Sequence, residues 1–100
     1  MKKILIIKSS SMGDIIHALP VAHDIRQALP DARIDWVAEE SFADIPPLAS
    51  AVEKVYVTAF RRWRKSPFSV KTRREVSALK AELQAEHYDI VIDIQGLIRS

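Results

Sequence analysis

The chain has 100 residues, 48% of them apolar, and fifteen Lys and Arg against thirteen Asp and Glu give a formal net charge of +2. A chain of this length closes around a single core, so one compact α/β unit or less is expected. It has no run of about 18 apolar residues and no cysteine, which excludes a helical membrane span, a disulfide framework and thiolate chemistry within it.

The opening Met1-Lys2-Lys3 followed by Ile4-Leu5-Ile6-Ile7 is too short for a secretory leader and lacks a small-residue cleavage site, so a cytoplasmic location is expected. The stretch from Lys3 to Lys8 reads instead as a strand buried on both faces of a parallel sheet. Ser9-Ser10-Ser11-Met12-Gly13 forms a polar turn after it. From Asp14 the apolar residues fall at Ile15, Leu19, Ala22, Ile25 and Leu29, the spacing of a helix lying on a sheet. Pro20 cannot donate to the carbonyl four residues back, so a kink or a restart of the helix is expected there. Ala32 to Ala38 makes a second strand, Ser41 to Ile45 one helical turn stopped by Pro46-Pro47, and Val52 to Val57 a third strand. Residues 58–67 read as a basic loop. Thr72-Arg73-Arg74-Glu75 has the form of a capping box, so a helix is expected to start at Thr72 and to end near Glu86. Tyr88 to Ile94 gives a fourth strand, with Gln95-Gly96 and the opening of another helix at Leu97 after it.

Alternating strands and helices predict an α/β fold, a Rossmann-like parallel sheet of about four strands. The loops after its strands gather on one edge, where ligands bind. The sequence stops just after the opening of a helix that should cover the sheet, so it reads as a truncated domain of a longer protein.

Charge is unevenly spread. Arg61, Arg62, Arg64, Lys65, Lys71, Arg73 and Arg74 share a window without an acid, and removing these seven leaves eight bases against thirteen acids elsewhere. Interleaved with Phe60 and Trp63, these cations suit phosphates or carboxylates, the arginines by bidentate forks. Two other readings stand beside that one: a solvated face, and a nucleic-acid-binding module, for which no recognised fold signature is present. The Ser9 to Gly13 turn offers hydroxyls and backbone N–H groups to an anion, yet it is neither G-x-G-x-x-G nor G-x-x-x-x-G-K-[ST]. A Rossmann-type nucleotide-binding domain thus remains an alternative without a fingerprint. Asp14 has two readings, as N-cap of the first helix or as a base meeting a substrate hydroxyl at the carboxyl edge. Glu39-Glu40 could hold a ribose, but the glycine pattern that would make this specific is missing. His17, His23 and His87 lack metal-ligand spacing, so neither a metal nor a cofactor is expected.

Taken together, Ser9-Ser10-Ser11-Met12-Gly13-Asp14-Ile15-Ile16-His17-Ala18-Leu19-Pro20, Asp35-Trp36-Val37-Ala38-Glu39-Glu40, Arg61-Arg62-Trp63-Arg64-Lys65 and Asp93-Ile94-Gln95-Gly96-Leu97 closely resemble the ADP-heptose:lipopolysaccharide heptosyltransferase family. The S-x-G-D-x-x-H-x-L-P stretch is shared across that family. The Arg-Arg-Trp-Arg-Lys and Asp-Trp-Val segments point to its first enzyme. The resemblance extends along nearly the whole chain and implies a GT-B glycosyltransferase with two Rossmann-like domains. Residues 1–100 would then be the N-terminal, acceptor-side domain, with the C-terminal donor-binding domain absent from this chain. The implied reaction moves L-glycero-D-manno-heptose from ADP-heptose to the Kdo region of the lipopolysaccharide inner core, with inversion, at the cytoplasmic face of the inner membrane. Asp14 matches the family's catalytic aspartate. Arg61, Arg62, Arg64 and Lys65 match its basic loop, which would hold a Kdo-lipid A acceptor together with Ser10, Ser11 and Gly13. No nucleic acid partner is implied, and the fragment alone would be inactive.

Overall fold

Four consecutive apolar residues, Ile4 to Ile7, can only be accommodated where a strand has neighbours on both sides and cover on both faces. The computed structural model, which describes residues 2–94, places them in the interior of a parallel sheet. The elements in order are β1 (Lys3–Ile7), α1 (Met12–Ala28), β2 (Arg33–Glu39), two short 3-10 turns (Glu40–Phe42 and Pro46–Leu48), β3 (Val52–Thr58), α2 (Phe60–Lys65), α3 (Val70–Glu86) and β4 (Ile90–Asp93). The strands run in the order β3-β2-β1-β4, all parallel, as the α/β reading requires. The expected Gln95-Gly96 turn and the helix at Leu97 lie outside the described residues.

Alternation along each strand divides the core into two layers. Ile4, Ile6, Ile34, Trp36 and Ala38 face α1 and meet Ile15, Ala18 and Ala22. Leu5, Val37 and Tyr56 face the other way, under Leu79 and Leu83 of α3 and beside Tyr88. Trp36 is fully buried, and its indole N–H donates to the Lys8 carbonyl at 3.1 Å. Truncating a core residue such as Ile6 to Ala is expected to cost about 2–5 kcal/mol, the transfer term plus the cavity left behind.

Four expectations are corrected. Helix α1 starts at Met12 and runs unbroken through Pro20. Pro20 and Ile16 are exposed, so the Ile16 carbonyl that loses its partner can be hydrated, while Ile15, Ala18 and Ala22 hold the helix on the sheet. Residues 60–65 are helical, where a loop was expected. Pro46 does not simply stop a turn but opens a second one, consistent with its fixed φ at a first helical position. Helix α3 begins two residues early, capped by Ser69, whose hydroxyl accepts from the Thr72 N–H at 3.1 Å. Thr72 is buried inside the first turn, and Glu75 is drawn away by Arg62 and Trp63. The helix closes as expected at Glu86, with His87 in the left-handed region at φ 52°.

One buried polar cluster has no counterpart in the sequence reading. Asp35 on β2 is 0% exposed, and it accepts from the Tyr88 hydroxyl and from Arg33 Nε at 3.3 Å. Tyr88 also contacts the Tyr56 hydroxyl at 3.1 Å. Burial, then the hydrogen bond to Asp35, pushes the Tyr88 hydroxyl well above the usual phenol range.

Candidate functional site

In a parallel sheet the carboxyl ends of all strands share one edge, and the segments that follow them form its rim. Here those segments are the Ser9–Ser11 turn, the turn after β2, and α2 after β3. They enclose an open cleft of about 470 Å³ lined by Ile7, Ser9, Ser10, Glu39, Ser41, Phe42, Phe60, Arg61, Arg64 and Asp93. Cations, hydroxyls and carboxylates thus meet on one concave surface with apolar walls.

Of the residues expected to bind the acceptor or act as base, the cleft brings together Ser10, Arg61 and Arg64. Arg61 and Arg64 are three apart on α2 and share a face. Among the described residues neither lies within ion-pair distance of a carboxylate, and the Arg64 Nε donates to the Phe60 carbonyl at 3.3 Å. Lys65 is exposed at the end of α2, away from the lining.

Arg62 is turned out of the cleft. Its guanidinium donates to both oxygens of Glu40, at 2.9 and 3.2 Å, and to both oxygens of Glu75, at 3.1 Å each. Two carboxylates on one guanidinium raise the Arg62 pKa, Glu75 contributing most, and hold Glu75 below the usual carboxylate range. Trp63 follows Arg62 to the outer side. It donates from Nε1 to Glu75 at 3.4 Å and meets Phe60 edge-on at 5.5 Å between ring centroids. No tryptophan ring therefore lies over the cleft to cover a sugar.

Asp14 is exposed in the first turn of α1, just beyond the Ser9-Ser10 rim, and does not itself line the cleft. It is not the N-cap. Ser11 occupies that position, makes no side-chain cap, and donates its hydroxyl to Asp14 Oδ2 at 3.1 Å. The second carboxylate oxygen accepts from no donor among the described residues, and a negative charge there is favoured by the helix dipole. A Cβ built on Gly13 would meet nothing within 4 Å, so the opening turn of α1 is uncovered at this point.

Glu39 and Phe60, both weighed from the sequence, line the cleft, as do Phe42 and Asp93, which were missed as site residues. Glu39 and Asp93 are the last residues of β2 and β4, and that position on a parallel strand was the available signal. The ribose reading of Glu39-Glu40 does not fit, since both carboxylates are engaged. Glu39 accepts from Thr58 Oγ1 and the Phe60 N–H, both at 2.9 Å, and Glu40 is held by Arg62. Lys8, fully buried at the end of β1, is partnered, as are Ser9, Ser10 and Asp93. Among the described residues no group of three His, Cys, Asp or Glu is placed to hold a metal, and no helix is long and apolar enough to cross a membrane.

No family model matches the chain. Individual proteins do. Lipopolysaccharide heptosyltransferase 1 of Escherichia coli (strain K12) is 52% identical over 98 residues, covering 98% of this chain and 31% of the relative. The protein of that name from Pseudomonas aeruginosa is 44% identical over 98 residues, with 28% of its own length covered. The structure of E. coli heptosyltransferase WaaC with ADP-2-deoxy-2-fluoro heptose superposes with a TM-score of 0.89 at 51% identity, covering 98% of this chain and 31% of that one. A family 9 glycosyl transferase from Veillonella parvula shares the fold, with a TM-score of 0.74 at 22% identity over 92% of this chain and 25% of its own. The chain spans under a third of the curated relatives it matches. Along nearly its whole length the chain is similar in sequence to the lipopolysaccharide heptosyltransferases, and its Rossmann-like α/β fold matches that of the GT-B heptosyltransferase structure.

Proposed function

We propose that this chain supplies the acceptor side of an inverting glycosyltransferase that moves L-glycero-D-manno-heptose from ADP-heptose to the Kdo region of the lipopolysaccharide inner core. The observation that carries the reading is the cleft in which Arg61 and Arg64 face Ser10 beside the exposed Asp14. Kdo is a carboxylated sugar, and planar guanidinium forks suit carboxylates. Ser11 and Gly13 border the same opening turn, and Lys65 at the end of α2 suits the phosphates of a Kdo-lipid A acceptor. Arg62, committed to Glu40 and Glu75, contributes indirectly.

In this reaction the acceptor hydroxyl attacks the anomeric carbon on the face opposite the leaving group. The new carbon–oxygen bond forms as the bond to the ADP phosphate oxygen breaks, ADP leaves with the electron pair, and the hydroxyl proton passes to a base. Asp14 fills that role. Ser11 orients one of its oxygens, and the hydroxyl grows acidic as its oxygen gives an electron pair to the anomeric carbon. The donor is held by a C-terminal domain beyond this chain, in keeping with the ADP-sugar bound by the E. coli protein.

The acceptor is lipid-linked, which places the protein peripherally on the cytoplasmic face of the inner membrane. Phe68 is 88% and Val70 63% exposed, flanked by exposed Lys65, Lys71, Arg73 and Arg74. Such a rim suits an anionic leaflet, at about 1 kcal/mol per basic residue near the surface. The deciding experiment is steady-state transfer by the full-length protein carrying Asp14→Ala or Arg61→Ala with Arg64→Ala. Asp14→Ala should abolish turnover with both substrates still bound, and the arginine pair should raise the acceptor KM. Wild-type turnover by Asp14→Ala would remove Asp14 from the mechanism.

A further inference from the structure

We infer that Glu39 and Arg62 are positioning residues, which lock helix α2 in the one rotation that aims Arg61 and Arg64 into the cleft; the inference rests on the acceptor-site reading above. Helix α2 has six residues, too few to hold itself in water, and four of them are cations that repel one another. It must be held from outside.

Two anchors do so, from opposite sides. Beneath the helix, Glu39 is only 8% exposed. Its Oε1 accepts from Thr58 Oγ1 and the Phe60 N–H at 2.9 Å each, and its Oε2 from the Arg61 N–H at 3.4 Å. One buried carboxylate therefore joins the end of β2, the end of β3 and the first two residues of α2. On the outside, Arg62 bridges Glu40, next in sequence to Glu39, and Glu75 on α3 through four hydrogen bonds. The two neighbouring glutamates thus grip the helix at its backbone and at its outward arginine.

The consequence is a division of charge along α2. Arg62 is compensated by two carboxylates, while Arg61 and Arg64 have no carboxylate within ion-pair distance among the described residues and line the cleft. Successive helical residues point about 100° apart. A turn of α2 by one residue would bring Arg62 toward the cleft and carry Arg61 off it. Burial makes the Glu39 anchor stiff, because a donor lost from a buried carboxylate is not replaced by water.

The test is steady-state kinetics of the full-length enzyme, varying acceptor and donor separately, with Glu39→Gln, Arg62→Ala, Arg62→Lys and Glu40→Gln. An amide at position 39 puts one donor against donors, and lysine cannot make two forks. Each of Glu39→Gln and Arg62→Ala should raise the acceptor KM about fivefold or more, leaving donor KM and kcat within about twofold. Arg62→Lys should recover only part of the loss. Added to Arg61→Ala with Arg64→Ala, Arg62→Ala should have no further effect, since it acts through them. Should Glu39→Gln fail to fold, the exposed Glu40→Gln still removes one of the two carboxylates that hold Arg62. An unchanged acceptor KM in Arg62→Ala and Glu40→Gln, where Arg61→Ala with Arg64→Ala raises it, would overturn the inference alone. An unchanged acceptor KM in the Arg61, Arg64 double variant would instead remove the acceptor-site reading, and the positioning role with it.

Discussion

Replacing Tyr88 by Phe removes one oxygen and leaves the ring packing against Tyr56 in place, so its effect isolates the bond to Asp35. Asp35 is fully buried, and Arg33 Nε, at 3.3 Å from one carboxylate oxygen and 3.2 Å from the other, would be its remaining partner among the interactions seen. A hydrogen bond to a charged group is worth about 1.5–3 kcal/mol net. Tyr88 is only partly buried, so some water can reach the vacated place, and a loss of about 2 kcal/mol is expected. For a domain of this size that lowers Tm by roughly 8–16 °C. Tyr56→Phe should cost about half as much. A hydroxyl has a single proton, and with Tyr88 donating to the carboxylate, its 3.1 Å contact with Tyr56 joins two neutral groups and carries the Tyr56 proton. Thermal and urea melting of both variants, and of Tyr88→Phe in an Asp35→Asn background, measures the pair. The Asn background should shrink the Tyr88→Phe effect, because the acceptor is then neutral. A loss below about 0.5 kcal/mol, within the range of ordinary surface substitutions, or an equal loss in both backgrounds, would refute the reasoning.

Ser69→Ala removes the cap on the Thr72 N–H, and melting should show a loss of about 1 kcal/mol, whereas a neutral result would mean water replaces the hydroxyl. Arg62 holds the Glu75 carboxyl low, and Lys3 followed by Arg33 does the same for Glu86, so both groups stabilise the fold above the unfolded carboxyl pKa and lose that contribution as pH falls through their folded values. Melting in acid should therefore show a decline below about pH 4.5 that is smaller in Arg62→Ala. At the alkaline end the raised Tyr88 pKa acts in the opposite sense: its contribution is complete below the unfolded value of about 10 and fades above it, so its phenolate absorbance should emerge only with alkaline unfolding, and a normal titration in the folded chain would contradict the burial. Flotation of the full-length protein on anionic vesicles should weaken in Phe68→Ser and in Lys71→Glu with Arg74→Glu, and equal binding to neutral vesicles would sink the membrane reading.

The amino-acid sequence by itself determined the four strands, the two long helices and the parallel order of α/β alternation, because the spacing of Ile4 to Ile7, of Ile15 to Ile25 and of Leu79 and Leu83 is a local record of which faces are covered. It also placed the Ser9 to Gly13 turn and the cationic run on one edge, since topology sends every post-strand segment there. The direction each cation takes was decided only by the tertiary structure. Arg61, Arg62 and Arg64 are alike in sequence, and what separates them is where Glu39, Glu40 and Glu75 arrive from other elements. The same holds for α2, which no local propensity would sustain at six residues, and for the cap of α3, where Glu75 is taken by Arg62 of α2. Asp35 reads as the polar member of a strand, and it is buried because Arg33, Tyr88 and α3 close over it. Periodicity records burial along one segment; ion pairs and caps formed between segments leave no period to read.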